Sequence, residues 1–154
     1  MSDPRVAHCA FCDDVRLEVG NKMSLMGMYH GDMIVGGRPP LTLPKLVIVV
    51  WVLSDIGDPI QKMTTIVQGP PNQTEILRAE VDGILASPAH LFEDSKKLIA
   101  QQIFTISPFI VTEAGVIDVL LETDRGSFRA GRLRVSFADP EVTPGLFGTT
   151  PPTA

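Results

Sequence analysis

Residues 46–53, LVIVVWVL, are eight apolar positions with no polar interruption, followed at once by Ser54-Asp55-Ile56-Gly57-Asp58-Pro59. Five of the eight (Val47, Ile48, Val49, Val50 and Val52) are β-branched. Branching at Cβ restricts χ1 and suits a pleated surface, so the run reads as a strand. It is too short to cross a bilayer as a helix. Because it lacks polar alternation, both of its faces are expected to be covered, which puts it in the middle of the fold.

The other segments read as strands around it. Residues 5–12 alternate weakly and stop at Asp13-Asp14. Val15, Leu17 and Val19 alternate with Arg16 and Glu18, Gly20-Asn21 turns the chain, and residues 23–29 return, which is a hairpin pattern. Gly31-Asp32 reads as a turn, and residues 36–40, GGRPP, as a loop. Residues 60–67 form the next predicted strand. Residues 74–85 satisfy two periods: Leu77, Ala79 and Val81 alternate, while Ile76, Leu77, Glu80, Val81, Ile84 and Leu85 fit a helical face. We read a strand at 75–81, since Gly83 and Ser87-Pro88 interrupt the helical alternative. Residues 90–97 read as one helical turn and 98–106 as a strand.

The last hairpin is the clearest, with strands at 116–122 and 127–137. Leu133, Val135 and Phe137 share one face and Arg132, Arg134 and Ser136 the other, whereas Phe128 and Ala130 carry the opposite parity. Gly131 is therefore predicted to mark a β-bulge that flips the register. About eight strands with closely spaced turns indicate an all-β fold, an antiparallel β-sandwich over residues 1–138. A closed barrel is the alternative. Residues 139–154 form an extended Pro-rich C-terminal arm with one apolar pair, Leu146-Phe147.

Length and composition narrow the class. A chain of 154 residues matches one domain, and 44% hydrophobic residues is enough for a real core. The net charge of −5 disfavours a general nucleic-acid binder, whose affinity comes from neutralising phosphates. The start, Met1-Ser2-Asp3-Pro4-Arg5, has no apolar core of a secretory signal, and no segment has the length of a membrane span. The two cysteines are expected to be reduced thiols.

The block Phe11-Cys12-Asp13-Asp14-Val15-Arg16, then Asn21-Lys22, then Ser24-Leu25-Met26-Gly27-Met28-Tyr29 running on to His30-Gly31-Asp32, resembles the opening of a family of small uncharacterised proteins from bacteria and bacteriophages. Members share a pattern of the type CDDVR, GK and SLIGxYGxD, and Glu113-Ala114-Gly115 before a hairpin fits the family's closing pattern. The resemblance implies a β-sandwich somewhat like a C2 domain. It carries no established activity, so no catalytic residues come with it.

Candidate chemistry is sparse. His8-Cys9 and Cys12 form H-C-x-x-C, half of a zinc site, but no second half exists and strand geometry sends the two thiols to opposite faces. Asp13, Asp14, Asp32, Asp55, Asp58, Asp82 and Asp124 sit in turn-like stretches, and Asp55 with Asp58 is the best calcium candidate. Aspartate is also an ordinary turn residue. Arg125, Arg129, Arg132 and Arg134 gather on the final hairpin, as a solvated face or as a site for an acidic protein partner. No G-x-S-x-G elbow, phosphate loop or H-E-x-x-H helix occurs, so the reading is not an enzyme, and no metal or cofactor is assigned.

The resulting expectation is a non-catalytic structural subunit in a larger assembly. The assembly would be a phage particle, with the chain as a capsid decoration (cement) or tail/baseplate protein, located in the virion or in host cytoplasm before assembly. Leu146 and Phe147 are expected to anchor on a neighbouring subunit, with Arg125, Arg129, Arg132 and Arg134 as further partner-binding candidates. The partner is protein, self or other, giving a homo-oligomer or assembly-bound state without nucleic acid or membrane. A stand-alone cytoplasmic C2-like module for an ion, small ligand or protein is the alternative.

Overall fold

The computed structural model describes residues 5–83 and 92–138, and these form twelve strands and no helix. In chain order they are β1 (Val6–Cys12), β2 (Asp14–Glu18), β3 (Lys22–Met26), β4 (Asp32–Gly36), β5 (Leu41–Leu43) and β6 (Leu46–Asp55). Then follow β7 (Lys62–Gly69), β8 (Thr74–Asp82), β9 (Lys97–Ile106), β10 (Phe109–Val111), β11 (Gly115–Thr123) and β12 (Gly126–Ala138). The protein is an antiparallel β-sandwich, and none of its sheets closes into a barrel. A three-stranded sheet, β1-β6-β9, faces a five-stranded sheet, β4-β12-β11-β7-β8. Two small sheets, β2-β3 and β5-β10, complete the described fold.

The apolar run lies where its pattern places it. Leu46, Ile48, Val50 and Val52 of β6 point into the principal core with Met63 and Val67 of β7, Ile117, Val119 and Leu121 of β11 and Leu133 and Val135 of β12. The opposite face of β6, Val47 and Val49, is buried with Cys12 under Val15, Met23 and Leu25 of the β2-β3 hairpin. That hairpin is thus a third layer over part of the outer face of the three-stranded sheet. At roughly 1.5–3 kcal/mol for each large aliphatic side chain removed from water, β6 is the strand with most to lose on unfolding.

The bulge is present. Val119 pairs with Gly131 and Leu120 with Arg129, which leaves Ala130 as the extra residue. Phe128 and Ala130 consequently pack on the same core as Leu133 and Val135. The strand reading of 75–81 also holds, as part of β8.

Three features differ from expectation. Strands β4, β5 and β10 match none of the predicted segments because each is only three to five residues long, too short for a period to register. Asp32 is the first residue of β4 rather than half of a turn, and β4 pairs parallel to β12, an exception to the antiparallel rule. Residues 92–96 carry a turn closed by Ser95 N–H donating to Phe92 O at 3.0 Å, in place of a helical turn. Residues 90 and 91 and the arm, 139–154, lie outside the described residues.

Candidate functional site

The bulge also decides where the arginines lie. Arg132 and Arg134 point outward from the five-stranded sheet, and the extra residue at Ala130 brings Arg129 onto the same face. Arg129 Nε and Arg132 Nε each lie 2.8 Å from Oδ1 of Asp118, a buried carboxylate on the neighbouring strand β11. Arg134 Nε reaches Asp32 Oδ1 on β4 at 2.7 Å. Arg125 is separate: it sits at the turn of the hairpin and bonds Asp58 Oδ1 at 2.7 Å. The predicted set of four therefore divides into a group of three and a single residue, and each guanidinium already holds a carboxylate. Leu146 and Phe147 lie outside the described residues.

The turn carboxylates are engaged in the same way. Asp55 pairs with Lys97 at 2.8 Å, and Asp58 pairs with Arg125 and lies 3.7 Å from Arg5. Arg5, whose side chain is 1% exposed, donates to Asp124 Oδ1 at 2.8 Å and Thr123 Oγ1 at 3.0 Å. The Arg5 bond holds the Asp124 carboxyl below the usual carboxylate range. Arg5 gave no signal in the sequence, because a lone arginine at a strand start normally points to water. Asp55 and Asp58, the calcium candidates, thus carry lysine and arginine where an ion would need open oxygens. Among the described residues no group of three or more His, Cys, Asp or Glu side chains is arranged to hold a metal.

Cys9 and Cys12 are free thiols on opposite faces of β1: Cys9 borders the principal core and Cys12 lies in the smaller one. Burial pushes the Cys9 thiol up to about 12, so it stays a protonated thiol near neutrality. A Cβ built on Gly131 would stand inside 3.0 Å of Cys9 Sγ. The glycine lets β1 and β12 approach and closes that flank of the sandwich.

The motif residues Asp13, Asp14, Gly27 and Tyr29 converge at the base of the β2-β3 hairpin. Asp13 N–H donates to Met26 O at 2.9 Å, and Tyr29 N–H donates to Phe11 O at 2.8 Å. The Tyr29 hydroxyl donates to Asp13 Oδ1 at 2.6 Å, and Lys45 Nζ donates to Asp14 Oδ1 at 2.6 Å. Gly27 has φ +63° and leaves no room for a Cβ beside the Asp13 carboxylate. Burial first, then the Asp13 bond, raise the Tyr29 phenol well above its ordinary value, and the Lys45 bond holds the Asp14 carboxyl down. With Leu43 and Pro44 these groups line a hollow of about 390 Å³. Each of the four polar side chains is satisfied by another, which suits a clasp for the hairpin better than acid–base chemistry.

The remaining feature is a mismatch between the two main sheets. The Gly131–Cys9 contact sets β1 over β12, and Thr65 Oγ1 donating to Gln102 Oε1 at 2.6 Å sets β9 over β7. On that side, among the described residues, the five-stranded sheet therefore continues one strand past β9, to β8. Met63, Thr65 and Val67 of β7 are 0% exposed, while their partners Val81, Ala79 and Leu77 on β8 are only half-buried. On β9, Leu98 and Ala100 are buried but Phe104 and Ile106 are half-buried. An apolar groove of about 210 Å³ has Pro70, Ile76, Ile106, Pro108 and Ile110 in its lining.

The edge of β9 carries few of the usual protections against stray pairing. Its ten-residue ladder to β6 runs without a bulge from Lys97 to Ile106, contains no proline, and has one charge, Lys97, at its first position. The edge of β8 carries Glu75, Arg78, Glu80, Asp82 and a bulge, the usual protections against stray pairing. Ile99 and Ile103 of β9 are exposed on the outer face.

Searches of the sequence against protein-family models and against curated proteins find no match.

Proposed function

We propose that the protein is a non-catalytic structural subunit that works by binding other protein chains. The observation that carries this reading is β9, a largely apolar strand with no partner beyond β6 among the described residues, whose end contributes Ile106 to an apolar groove. Charged groups on the rest of the described surface are largely engaged with one another, whereas Val6, Ile99 and Ile103 on that sheet and Leu17 and Val19 on the hairpin stay exposed. Contiguous exposed apolar surface next to a free strand edge is the physical signature of an interface.

The finer reading is an accessory protein of a phage particle, as capsid decoration or tail/baseplate component. It rests on the resemblance of the Phe11–Asp32 region to the bacterial and phage family. The test is sedimentation of assembled particles from a producing culture, with the protein quantified by mass spectrometry. A fixed copy number per particle, resistant to a salt wash, is expected. Recovery only in the particle-free supernatant would remove the assembly reading.

A further inference from the structure

The arginines of β12 are unevenly matched to carboxylates. Arg134 and Asp32 form a balanced pair of one positive and one negative charge. Arg129 and Arg132 instead share Asp118, and both reach the same atom, Oδ1, with their Nε at 2.8 Å. Their Nε atoms therefore stand no more than 5.6 Å apart, the sum of two 2.8 Å contacts. One guanidinium with two parallel bonds would satisfy a carboxylate. Here two positive charges are held side by side on one negative charge, which leaves a surplus of one. Glu122, the next acid along the outward face of β11, stands opposite Ser127 in the ladder rather than opposite an arginine.

The surplus is also held in place. Asp118 is buried on β11, so the point on which the two guanidiniums converge is fixed by the sheet, and the bulge at Ala130 brings Arg129 onto that face. The side chains of Arg129 and Arg132 are 49% and 55% exposed, so their outer parts meet water. Arg129 spends its Nε on Asp118, and Arg132 its Nε with Nη2 at 3.5 Å from Oδ2. A guanidinium carries five N–H donors, so most of the donors of the pair remain for an acceptor from outside. One carboxylate would neutralise the surplus. A phosphate group, with a charge of about −1.5 to −2, would exceed it and meet the Asp118 carboxylate at close range.

We infer that Arg129 and Arg132 form a site for one carboxylate, presented by an aspartate or glutamate side chain of a partner protein, with Asp118 as the positioning residue. An open sheet face favours a partner's side chain over a free small acid, because small ligands are held in concave sites and a side chain is held by the rest of its interface. This inference rests on the subunit reading above and names the chemistry by which the partner is held.

The test is an NMR titration of the full chain in which sodium acetate, standing in for the partner's carboxylate, replaces sodium chloride at constant ionic strength. The Nε–H signals of Arg129 and Arg132 are expected to shift along one saturating curve while those of Arg125 and Arg134 stay in place. Arg129→Lys keeps the charge beside Asp118 but loses the planar fork, and should raise the acetate midpoint about tenfold. Arg132→Lys repeats the test if Arg129→Lys lowers Tm. Shifts that are linear in acetate, or common to all four arginines, would mean an unspecific ion atmosphere and overturn the site. A lower midpoint for inorganic phosphate than for acetate overturns the carboxylate assignment.

The same double variant, Arg129→Lys with Arg132→Lys, belongs in the particle sedimentation described above, where it is expected to be released by a salt wash that the native chain resists. Retention equal to the native chain overturns the partner contact and leaves the assembly reading standing. Absence of the native chain from particles removes the assembly reading, while the acetate titration still decides the site.

Discussion

At the scale of single residues, the fold is held at points where a side chain has no room to be anything else. Gly131 is the sharpest. A Cβ there would meet Cys9 Sγ, which belongs to a short side chain on a strand packed against the core and cannot swing away. Gly131→Ala should therefore destabilise by about 1–3 kcal/mol, the usual range for forcing an extra carbon into a packed interior. Removing the sulfur clears the space, since the next nearest Cys9 atoms lie 3.8 and 3.9 Å from the built Cβ. Urea titrations of Gly131→Ala and of Gly131→Ala with Cys9→Ala should show the second change recovering part of the loss. Equal midpoints for the two would mean that the contact does not limit how closely the sheets approach.

At the scale of elements, the β2-β3 hairpin gains little from its own two strands and depends on its clasp and on the surface it covers. A two-stranded hairpin is marginal in water, so the burial of Val47, Val49 and Cys12 beneath it and the bonds at its base keep it in place. Tyr29→Phe removes the hydroxyl that bonds Asp13 and should cost about 1 kcal/mol. Hydrogen exchange should locate the loss: amides of β2 and β3 exchange faster while those of β6 do not change. Equal acceleration in β6 would mean that the hairpin and the central sheet open as one unit.

The same elements show what was readable in the chain. Residues 46–53 announced a strand covered on both faces because an unbroken apolar run, five of its eight residues β-branched, has no other stable place. The parity switch between Ala130 and Leu133 announced the bulge. By contrast β4, β5 and β10 span too few residues to show a period, and β4 is held mainly by parallel pairing to β12, more than ninety residues away. The arginine group was legible as a cluster, but not its division into three residues and one, which depends on the bulge and on Asp118. The place of β9 at the end of its sheet was invisible, because strand order is set by long-range pairing and not by any residue within the strand.

At the scale of the whole molecule, the sandwich is drawn together on one flank by the Gly131–Cys9 approach and tied at one end by Arg5. That guanidinium joins the start of β1 to the β11-β12 turn through Asp124 and Thr123, and to the β6-β7 connection through Asp58. Its loss should loosen all three at once. Arg5→Met keeps the length and apolar stem of the side chain but removes the charge, and should cost about 1–2 kcal/mol at pH 7 once screening at the partly exposed Asp124 is allowed for.

The pH dependence separates this pairing from simple packing. A carboxyl whose pKa is lowered by folding adds stability above its unfolded value of about 4, and that stability is lost as pH falls through the lower folded value. Asp124 is such a group, held down first by the Arg5 bond, and Asp14 is another, held down by Lys45. Urea midpoints of the native chain should therefore decline as pH drops from about 5 toward 2. In Arg5→Met the largest part of the Asp124 contribution is gone, so the curve should start lower at pH 7, fall less steeply, and approach the native curve at the acid end. Two parallel curves would mean that Arg5 acts through its buried stem, and the ionic tie at this end of the sandwich would have to be abandoned.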